Sequence, residues 1–431
     1  MLGIVNLIIY KMSQIKKLIA KEILDSRGNP TLAVGCELSS GFFGETMVPS
    51  GKSTGSGEAI ELRDKDPNRY GGLGVLQAVK NINIEINDFV QNKDLDQAGL
   101  DEALVILDGT KNKNRLGANA ILGVSMAFAH AVAREKNLGL YKYFGELSGN
   151  QTLELPNPCL NIINGGRHSN SGIDLQEFMI VPTGFDTFVE KIQAAKNVVE
   201  KLKEILQSRN YDIGLGDEGG FAPALKSNEE ALELIVEAIG KAGYTENIKI
   251  GIDAAASSFY ENGKYIFKVG GINEERNNIE MVAWYENLVN QYPIIFIEDP
   301  LAEEDWQGFQ MITEKLGGKI KIVGDDLTVT NTERIKKAID QKAINAVLIK
   351  PNQIGTITET IQAVKLSQTE GWLNIMSHRS GETLDTTIAD LAIGLGCQFI
   401  KSGAPTRPER LAKYDRLIEI EGILASKNKA L

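Results

Sequence analysis

Cysteine is scarce in this 431-residue chain, which contains only Cys36, Cys159 and Cys397. Three thiols, an odd number spaced far apart, do not form the disulfide framework of a small secreted domain. No internal stretch reaches the roughly 20 apolar residues that a membrane-spanning helix needs. We therefore expect a cytoplasmic protein from a reducing compartment, without a membrane span.

Positive charge is also in deficit, because 46 Lys and Arg stand against 57 Asp and Glu, a net charge of -11. This balance opposes non-specific binding to nucleic acid or to an anionic membrane. An anionic substrate must then be held by a local group of cations or by a metal ion. Histidine is equally rare, and His130, His168 and His378 are not clustered in the sequence as zinc ligands often are.

The length of the chain favours two domains. We expect residues 1–14 to be a disordered extension, since their apolar start lacks the basic segment and cleavage site of a signal peptide. Residues 15–150 begin with three short β-type runs separated by DSRGNP and SSG, and continue with helical periodicity from Val75 to Leu147. This order predicts an α+β domain with a three-stranded antiparallel meander followed by helices.

Residues 151–431 have a different, repeating pattern. Short apolar runs end in a polar or charged residue and precede a helical stretch. The runs are IKIGIDAA, IIFIEDP, IKIVGDD, AVLIKP, LNIMSH and FIKSG. The later ones follow each other at roughly 23 to 28 residues, the length of one βα unit. Helix starts with the Ser/Thr-x-x-Glu pattern are predicted at Ser227, Thr330, Thr356 and Thr406. The pattern predicts a C-terminal TIM-like β/α barrel with parallel strands.

Ionisable residues at the ends of these runs define the candidate site, because the carboxyl ends of parallel barrel strands converge on one face. Asp253, Glu298 and Asp325 offer hard oxygen ligands, which suit Mg²⁺ better than a soft metal. Lys350 and Lys401 flank them. A lysine beside a metal and a second cation can have a pKa low enough for a base, whereas a structural ion pair with a carboxylate is the alternative.

Three glycine-rich segments add further candidates. NGGRHSNSG carries His168 ahead of an apolar run that contains Glu177, and GLGDEGGF places Glu218 among glycines, where the alternative is a plain surface turn. Gly51-Lys52-Ser53-Thr54 imitates the end of a phosphate-binding P-loop. That motif needs glycine at position 46, which is Thr46 here, so we do not predict a P-loop.

Taken together, these motifs resemble those of the enolase family. SRGNPT, PSGKSTG, NGGRH, DLQEFMIVP, GDEGGFAP, IEDP, GDDLTVTN, KPNQIGT, SHRSGET and RPER occur in the family's order between Ile15 and Ile423. The resemblance implies a glycolytic and gluconeogenic hydro-lyase, a phosphopyruvate hydratase that reversibly dehydrates 2-phosphoglycerate to phosphoenolpyruvate. It also implies a homodimer or a higher homo-oligomer.

The resemblance further implies a role for each candidate residue. Lys350 would remove the C2 proton and Glu218 would protonate the departing C3 hydroxyl, with Glu177 in support. Two Mg²⁺ ions per active site are implied, with Ser53 binding the second one. The residues implied to bind the first Mg²⁺ are Asp253, Glu298 and Asp325. The residues implied to bind substrate are His168, Glu177, His378, Arg379, Ser380 and Lys401.

Some positions depart from the family pattern without removing a reacting group. Lys52 stands where a small residue is expected, and Pro351 restricts the backbone of the proposed base Lys350. We considered two alternatives: another carboxylate lyase or isomerase of the superfamily, and a non-catalytic binding protein on this fold. The first would carry a Lys-x-Lys motif where this chain has LQEFMIV. The second would have lost a metal ligand or Lys350, and neither is lost.

Overall fold

A computed structural model describes residues 12–52, 55–169 and 171–428, the last two of these by their backbone alone. Residues 1–11 of the predicted extension and the predicted metal ligand Ser53 lie outside this description. The first strand already begins at Ser13, inside the segment that we expected to be disordered.

The N-terminal domain opens with an antiparallel sheet in the order β3-β2-β1-β4. The strands are β1 (Ser13–Leu24), β2 (Pro30–Leu38), β3 (Phe43–Met47) and β4 (Asp94–Leu95). The predicted meander is β1 to β3, and β4 adds a two-residue edge beside Ser13 and Gln14. The β1–β2 turn forms because Asp25 accepts hydrogen bonds from the backbone of Arg27 and Asn29.

Helices pack against this sheet. They are α1 (Leu76–Lys80), α2 (Asn87–Val90), α3 (Gln97–Asp108), α4 (Ala118–Glu135) and α5 (Leu140–Ser148), with a π-helical segment at Asn81–Ile86. Helix α4 is buried along almost its whole length and packs on β2 and β3. A Cβ atom at Gly44 of β3 would overlap the backbone of Ala127 and Ala131 in α4, so the absence of a side chain sets this close approach.

The C-terminal domain is a closed eight-stranded barrel in the order β11-β12-β13-β14-β15-β5-β6-β7. Its strands are β5 (Asn157–Asn164), β6 (Glu177–Pro182), β7 (Ile248–Asp253), β11 (Ile294–Glu298), β12 (Lys321–Gly324), β13 (Ala346–Ile349), β14 (Leu373–Ser377) and β15 (Phe399–Lys401). The six apolar runs that predicted the barrel are all strands, and each pairs in parallel with the next of them in the ring. The predicted barrel fold is therefore confirmed.

The prediction that all the strands are parallel is wrong for β6, which runs antiparallel to both of its neighbours. Among its described residues, the link from β5 to β6 has a 3₁₀ turn at Gly166–His168 but no crossover helix, which a parallel connection usually needs. The reversal matters for function, since it puts the first residue of β6, Glu177, directly opposite the last residue of β7, Asp253.

Helices surround the barrel, and a small antiparallel sheet follows β7. The helices are α6 (Phe188–Ser208), α7 (Asn228–Lys241), α8 (Asn278–Gln291), α9 (Trp306–Leu316), α10 (Thr332–Gln341), α11 (Pro351–Ile354), α12 (Ile357–Thr369), α13 (Thr387–Gly394) and α14 (Pro408–Asn428). The small sheet contains β8 (Tyr260–Glu261), β9 (Lys264–Phe267) and β10 (Glu274–Arg276). No helix among the described residues is both long and apolar enough to cross a bilayer.

The helix-start predictions had mixed success. Ser227 and Thr356 cap α7 and α12 as expected, each accepting a bond from the backbone of the glutamate three residues on. The prediction for Thr330 is wrong, because Asn331 caps α10. The prediction for Thr406 is also wrong: α14 begins at Pro408, and the Thr406 hydroxyl donates to the Gly219 carbonyl.

Side chains fill the barrel interior below the site. A separate buried cluster contains Cys159, Met179, Val181, Phe296, Val323, Ala346, Leu348, Ile375 and Phe399. The ring of Phe296 occupies the space that a side chain at Gly251 would need. The barrel is therefore a packed core and not a pore.

The contact between Gly44 and α4 gives a stability prediction. Gly44→Ala should lower the free energy of unfolding by about 1–3 kcal/mol, because the added methyl group meets backbone that cannot move aside. Urea denaturation measures this loss. The matched control is Gly240→Ala in α7, where the new Cβ has open space and the helix should gain about 0.5–1 kcal/mol. Equal stability of the two variants would contradict the close packing of β3 on α4 at Gly44.

Candidate active site

A cavity at the carboxyl end of the parallel strands brings most of the predicted site residues together. The predicted residues that line it are His168, Glu177, Glu218, Asp253, Asp325, Lys350, His378, Arg379, Ser380 and Lys401. Glu298 does not line the cavity but lies beneath it, in contact with Lys401. The cavity collects residues that are more than 200 positions apart in the chain, as expected for a barrel end.

Lys401 is the centre of a buried charge cluster. Its Nζ lies 3.1 Å from Glu177, 3.1 Å from Asp253 and 2.9 Å from Glu298. Burial opposes the charge, but Asp253 and the other two carboxylates outweigh it and hold the pKa of Lys401 well above its ordinary value. One ammonium cannot neutralise three carboxylates, so this cluster keeps an excess of negative charge unless a proton or a second cation joins it.

Lys350 forms an ion pair with Asp325, the alternative that the sequence left open. The other oxygen of Asp325 accepts a hydrogen bond from Gln353 at 2.9 Å. Burial lowers the pKa of Lys350, but Asp325 outweighs it, so the pKa lies above its ordinary value. In this state Lys350 is an ammonium and not a free base.

The backbone around Lys350 explains how Pro351 is accommodated. Pro351 is the first residue of α11, a position where a missing N–H costs no helical hydrogen bond. Lys350 is extended, as the residue before a proline prefers, and its own N–H donates to the Thr330 hydroxyl at 2.9 Å. Thr330, which we expected to cap a helix, therefore positions the backbone of Lys350.

Two glutamates and two histidines form the other side of the cavity. His168 Nδ1 lies 3.3 Å from Glu177 and 3.6 Å from Glu218, and His378 Nε2 lies 3.2 Å from Glu218. Burial opposes ionisation of Glu218, but His378 and His168 outweigh it and hold its pKa well below its ordinary value. Burial and the adjacent Glu218 raise the pKa of Glu177. Glu177 and Glu218 together therefore hold one proton, and it is favoured on Glu177.

Asp299 is a site residue to which the sequence analysis assigned no role. It adopts a positive φ of 40°, and its carboxylate accepts hydrogen bonds from the backbone N–H groups of Asp325 and Asp326 at 2.9 and 2.8 Å. Burial and the adjacent Asp325 raise the pKa of Asp326 to about 7. The IEDP and GDD motifs could have indicated this contact, since both stand at strand ends.

The acidic side chains fit a divalent cation. Ligand oxygens of Asp299, Asp325 and Asp326 lie within 4.8 Å of one another, and so do ligand atoms of His168, Glu177 and Glu218. The predicted trio Asp253, Glu298 and Asp325 is not such a group among the described residues, because Lys401 lies between the first two and Lys350 pairs with the third. Buried hard oxygens in excess over cations are a donor set that suits Mg²⁺.

The N-terminal domain contacts barrel residues that line the cavity. Arg379 donates to Glu58 at 2.9 Å and to Asn352 at 2.9 Å, and Ser380 accepts from the backbone of Lys52 at 3.0 Å. The Lys52 ammonium donates to the Arg167 carbonyl at 2.9 Å and to Asp217 at 2.7 Å. The lysine that departs from the family pattern therefore connects two loops of the barrel. Sequence reasoning missed the Glu58 contact because its partners lie in different domains.

The charge cluster gives a prediction for Lys401. In a chelating buffer, Lys401→Met should lower the free energy of unfolding by about 3–5 kcal/mol, because it leaves three buried carboxylates without their cation. Urea titrations measure this value, and adding Glu298→Gln should recover part of the loss. Lys16→Met is the control, since its exposed pair with Glu37 should contribute less than about 1 kcal/mol. An equally small loss of unfolding free energy in Lys401→Met would contradict the role of Lys401 as the cation of this cluster.

Two protein-family models match the chain. One is described as "Enolase, N-terminal domain" and matches residues 15–144. The other is described as "Enolase, C-terminal TIM barrel domain" and matches residues 152–430. The two matches follow the same division into a sheet-and-helix domain and a barrel that the structure has.

Proposed function

The chain belongs to the enolase family of lyase-type, metal-binding enzymes, and we propose that it catalyses the reversible dehydration of 2-phosphoglycerate to phosphoenolpyruvate. The observation that carries this proposal is the composition of one cavity. A lysine, Lys350, and a glutamate pair, Glu177 and Glu218, face the same space. Removal of a proton and departure of a hydroxyl at adjacent carbons need such a base and such an acid as separate groups.

Lys350 is the proposed base for the C2 proton. It must first lose its own proton, which Asp325 stabilises in this state. Neutralisation of Asp325 would therefore lower the pKa of Lys350 towards the range of a working base. Thr330 and α11 hold the backbone of Lys350 in place, so a change in protonation does not require the strand end to move.

Glu218 is the proposed acid for the C3 hydroxyl, supported by Glu177. Because the shared proton is favoured on Glu177 in this state, Glu218 must gain a proton before the hydroxyl leaves. His168 lies between the two carboxylates and is the group placed to pass that proton. Asn161 donates to Glu218 at 3.2 Å and fixes its orientation.

Mg²⁺ is the proposed cofactor, with two ions per active site. Asp253, Glu298 and Asp325 would hold one ion, and Ser53 the other. When bound, Mg²⁺ would stabilise the negative charge that develops on the substrate carboxylate after loss of the C2 proton. Enolase-superfamily sites generally use a lysine or histidine base with one or two Mg²⁺ ions.

The remaining residues would bind the two anionic groups of the substrate. Lys401 would add positive charge at the carboxylate, while His168, Arg379 and Ser380 would close around the substrate, with His378 beside it. A homodimer or higher homo-oligomer, a cytoplasmic location and a place in glycolysis and gluconeogenesis remain predictions from the sequence.

The first test of this function is Mg²⁺-dependent formation of phosphoenolpyruvate. We expect ultraviolet absorbance to rise when 2-phosphoglycerate is added with Mg²⁺, and the rise to stop when a chelator removes the metal. Re-addition of Mg²⁺ should restore the rate. No rate above background in the presence of Mg²⁺ would refute the proposed activity.

A second test separates the base from the acid. Lys350→Ala should abolish exchange of the C2 proton with solvent and with it phosphoenolpyruvate formation. Glu218→Gln should keep measurable C2 exchange but lower dehydration by about 10²–10⁴-fold, because only the acid step is impaired. The exposed Lys336→Ala in α10 is the control and should match the unmodified chain. Retained C2 exchange in Lys350→Ala would remove Lys350 as the base.

A further inference from the structure

Arg410, near the start of α14, is the largest fully buried side chain among the described residues. It does not line the cavity, yet its guanidinium contacts two segments that carry proposed site residues, His378–Ser380 and the loop before Glu218. One nitrogen, Nη1, donates to His378 Nδ1 at 2.6 Å and to the Arg379 carbonyl at 2.7 Å. The other, Nη2, donates to the carbonyls of Ser380 at 2.7 Å and Asp217 at 3.3 Å.

The chemistry of this contact decides the tautomer of His378. A guanidinium has donors only, so the nitrogen that faces it must be an acceptor without a proton. The proton of a neutral His378 ring must then be on Nε2, which lies 3.2 Å from Glu218. Burial first, and Arg410 in addition, lower the pKa of His378 to about 4, so the ring is neutral near pH 7.

The surroundings of Arg410 indicate a role beyond packing. Its nearest carboxylate among the described residues is Glu409, at 3.8 Å from Nε, which is not a close ion pair. The charge is instead held by three carbonyl oxygens and one imidazole. Such a costly arrangement fixes the His378–Ser380 segment and the loop before Glu218 relative to each other.

We propose that Arg410 is a positioning residue for the dehydration: it occupies Nδ1 of His378, fixes the Nε2–H tautomer and thereby places that proton on the ring nitrogen 3.2 Å from the acid Glu218. The series of contacts from Arg410 to His378 and from His378 to Glu218 then holds the acid carboxylate in one orientation while the C3 hydroxyl leaves. The catalytic part of this inference rests on the proposed function, whereas the tautomer does not.

The tautomer is tested on the unmodified protein. The chain has only three histidines, so ¹⁵N-histidine labelling gives few signals, and His378→Gln identifies the one from residue 378. The ring-nitrogen chemical shifts near pH 7 should report a protonated Nε2 and an unprotonated Nδ1. A proton on Nδ1, or an equal mixture of the two forms, would overturn the inference without any further variant.

The positioning role is tested with Arg410→Met. We expect kcat for dehydration to fall by about 100-fold with little change in KM, since misplacement of a catalytic group has this size of effect. C2 exchange should persist, because Lys350 is not in contact with Arg410, and the His378 signal should shift towards a tautomer mixture. Arg410→Lys retains hydrogen-bond donors but not the forked guanidinium. Its kcat should therefore lie between that of Arg410→Met and that of the unmodified protein.

The control is Arg416→Met on the same helix, which breaks an ion pair with Asp390 away from the cavity. It should leave kcat and the His378 tautomer unchanged. If Arg410→Met also leaves both unchanged, or if kcat and C2 exchange fall together, Arg410 is not a positioning residue for the acid. Absence of activity in the unmodified chain would instead contradict the proposed function, and the catalytic role of Arg410 would fall with it.

Discussion

One buried ammonium controls the active end of this barrel. Closing the ring brings Glu177, Asp253 and Glu298 from three adjacent strands to one place, and Lys401 lies within 3.1 Å of all three. Burying such charges costs several kcal/mol per ion, so the cluster is poor evidence for stability. Its three carboxylates outnumber its one cation, so the cluster needs a proton or a second cation to become neutral. The same excess fits the metal use of the family and raises the pKa of Lys401.

The reversed strand β6 makes that cluster possible. Had β6 run parallel to its neighbours, its first residue, Glu177, would lie at the opposite end of the barrel. The antiparallel direction pairs Glu177 with Asp253 and brings it within reach of His168. The side of the cavity that holds Glu177 and His168 therefore depends on the direction of β6.

The N-terminal domain contacts the barrel segments that line the cavity. Glu58 pairs with Arg379, and Lys52 connects Asp217 with the Arg167 carbonyl across two barrel loops. These contacts connect the N-terminal domain with the barrel segments around the cavity. Lys52 thus has structural partners in this chain, although the family pattern has a small residue at its position. Pro351 is accommodated because it is the first residue of α11.

The sequence by itself determined the two-domain plan, the barrel strands and the ionisable residues at their ends, because apolar runs and the charges that follow them are local patterns. It did not determine the direction of β6, the pairing of Lys350 with Asp325, the hydrogen bonds that Asp299 accepts from the GDD loop, or the contact of Arg410 with His378. Each of these joins residues on different elements, and its energy depends on distance and burial. Only the closed tertiary structure sets those two quantities, so only it decided which of the predicted side chains carry protons and which partners hold them.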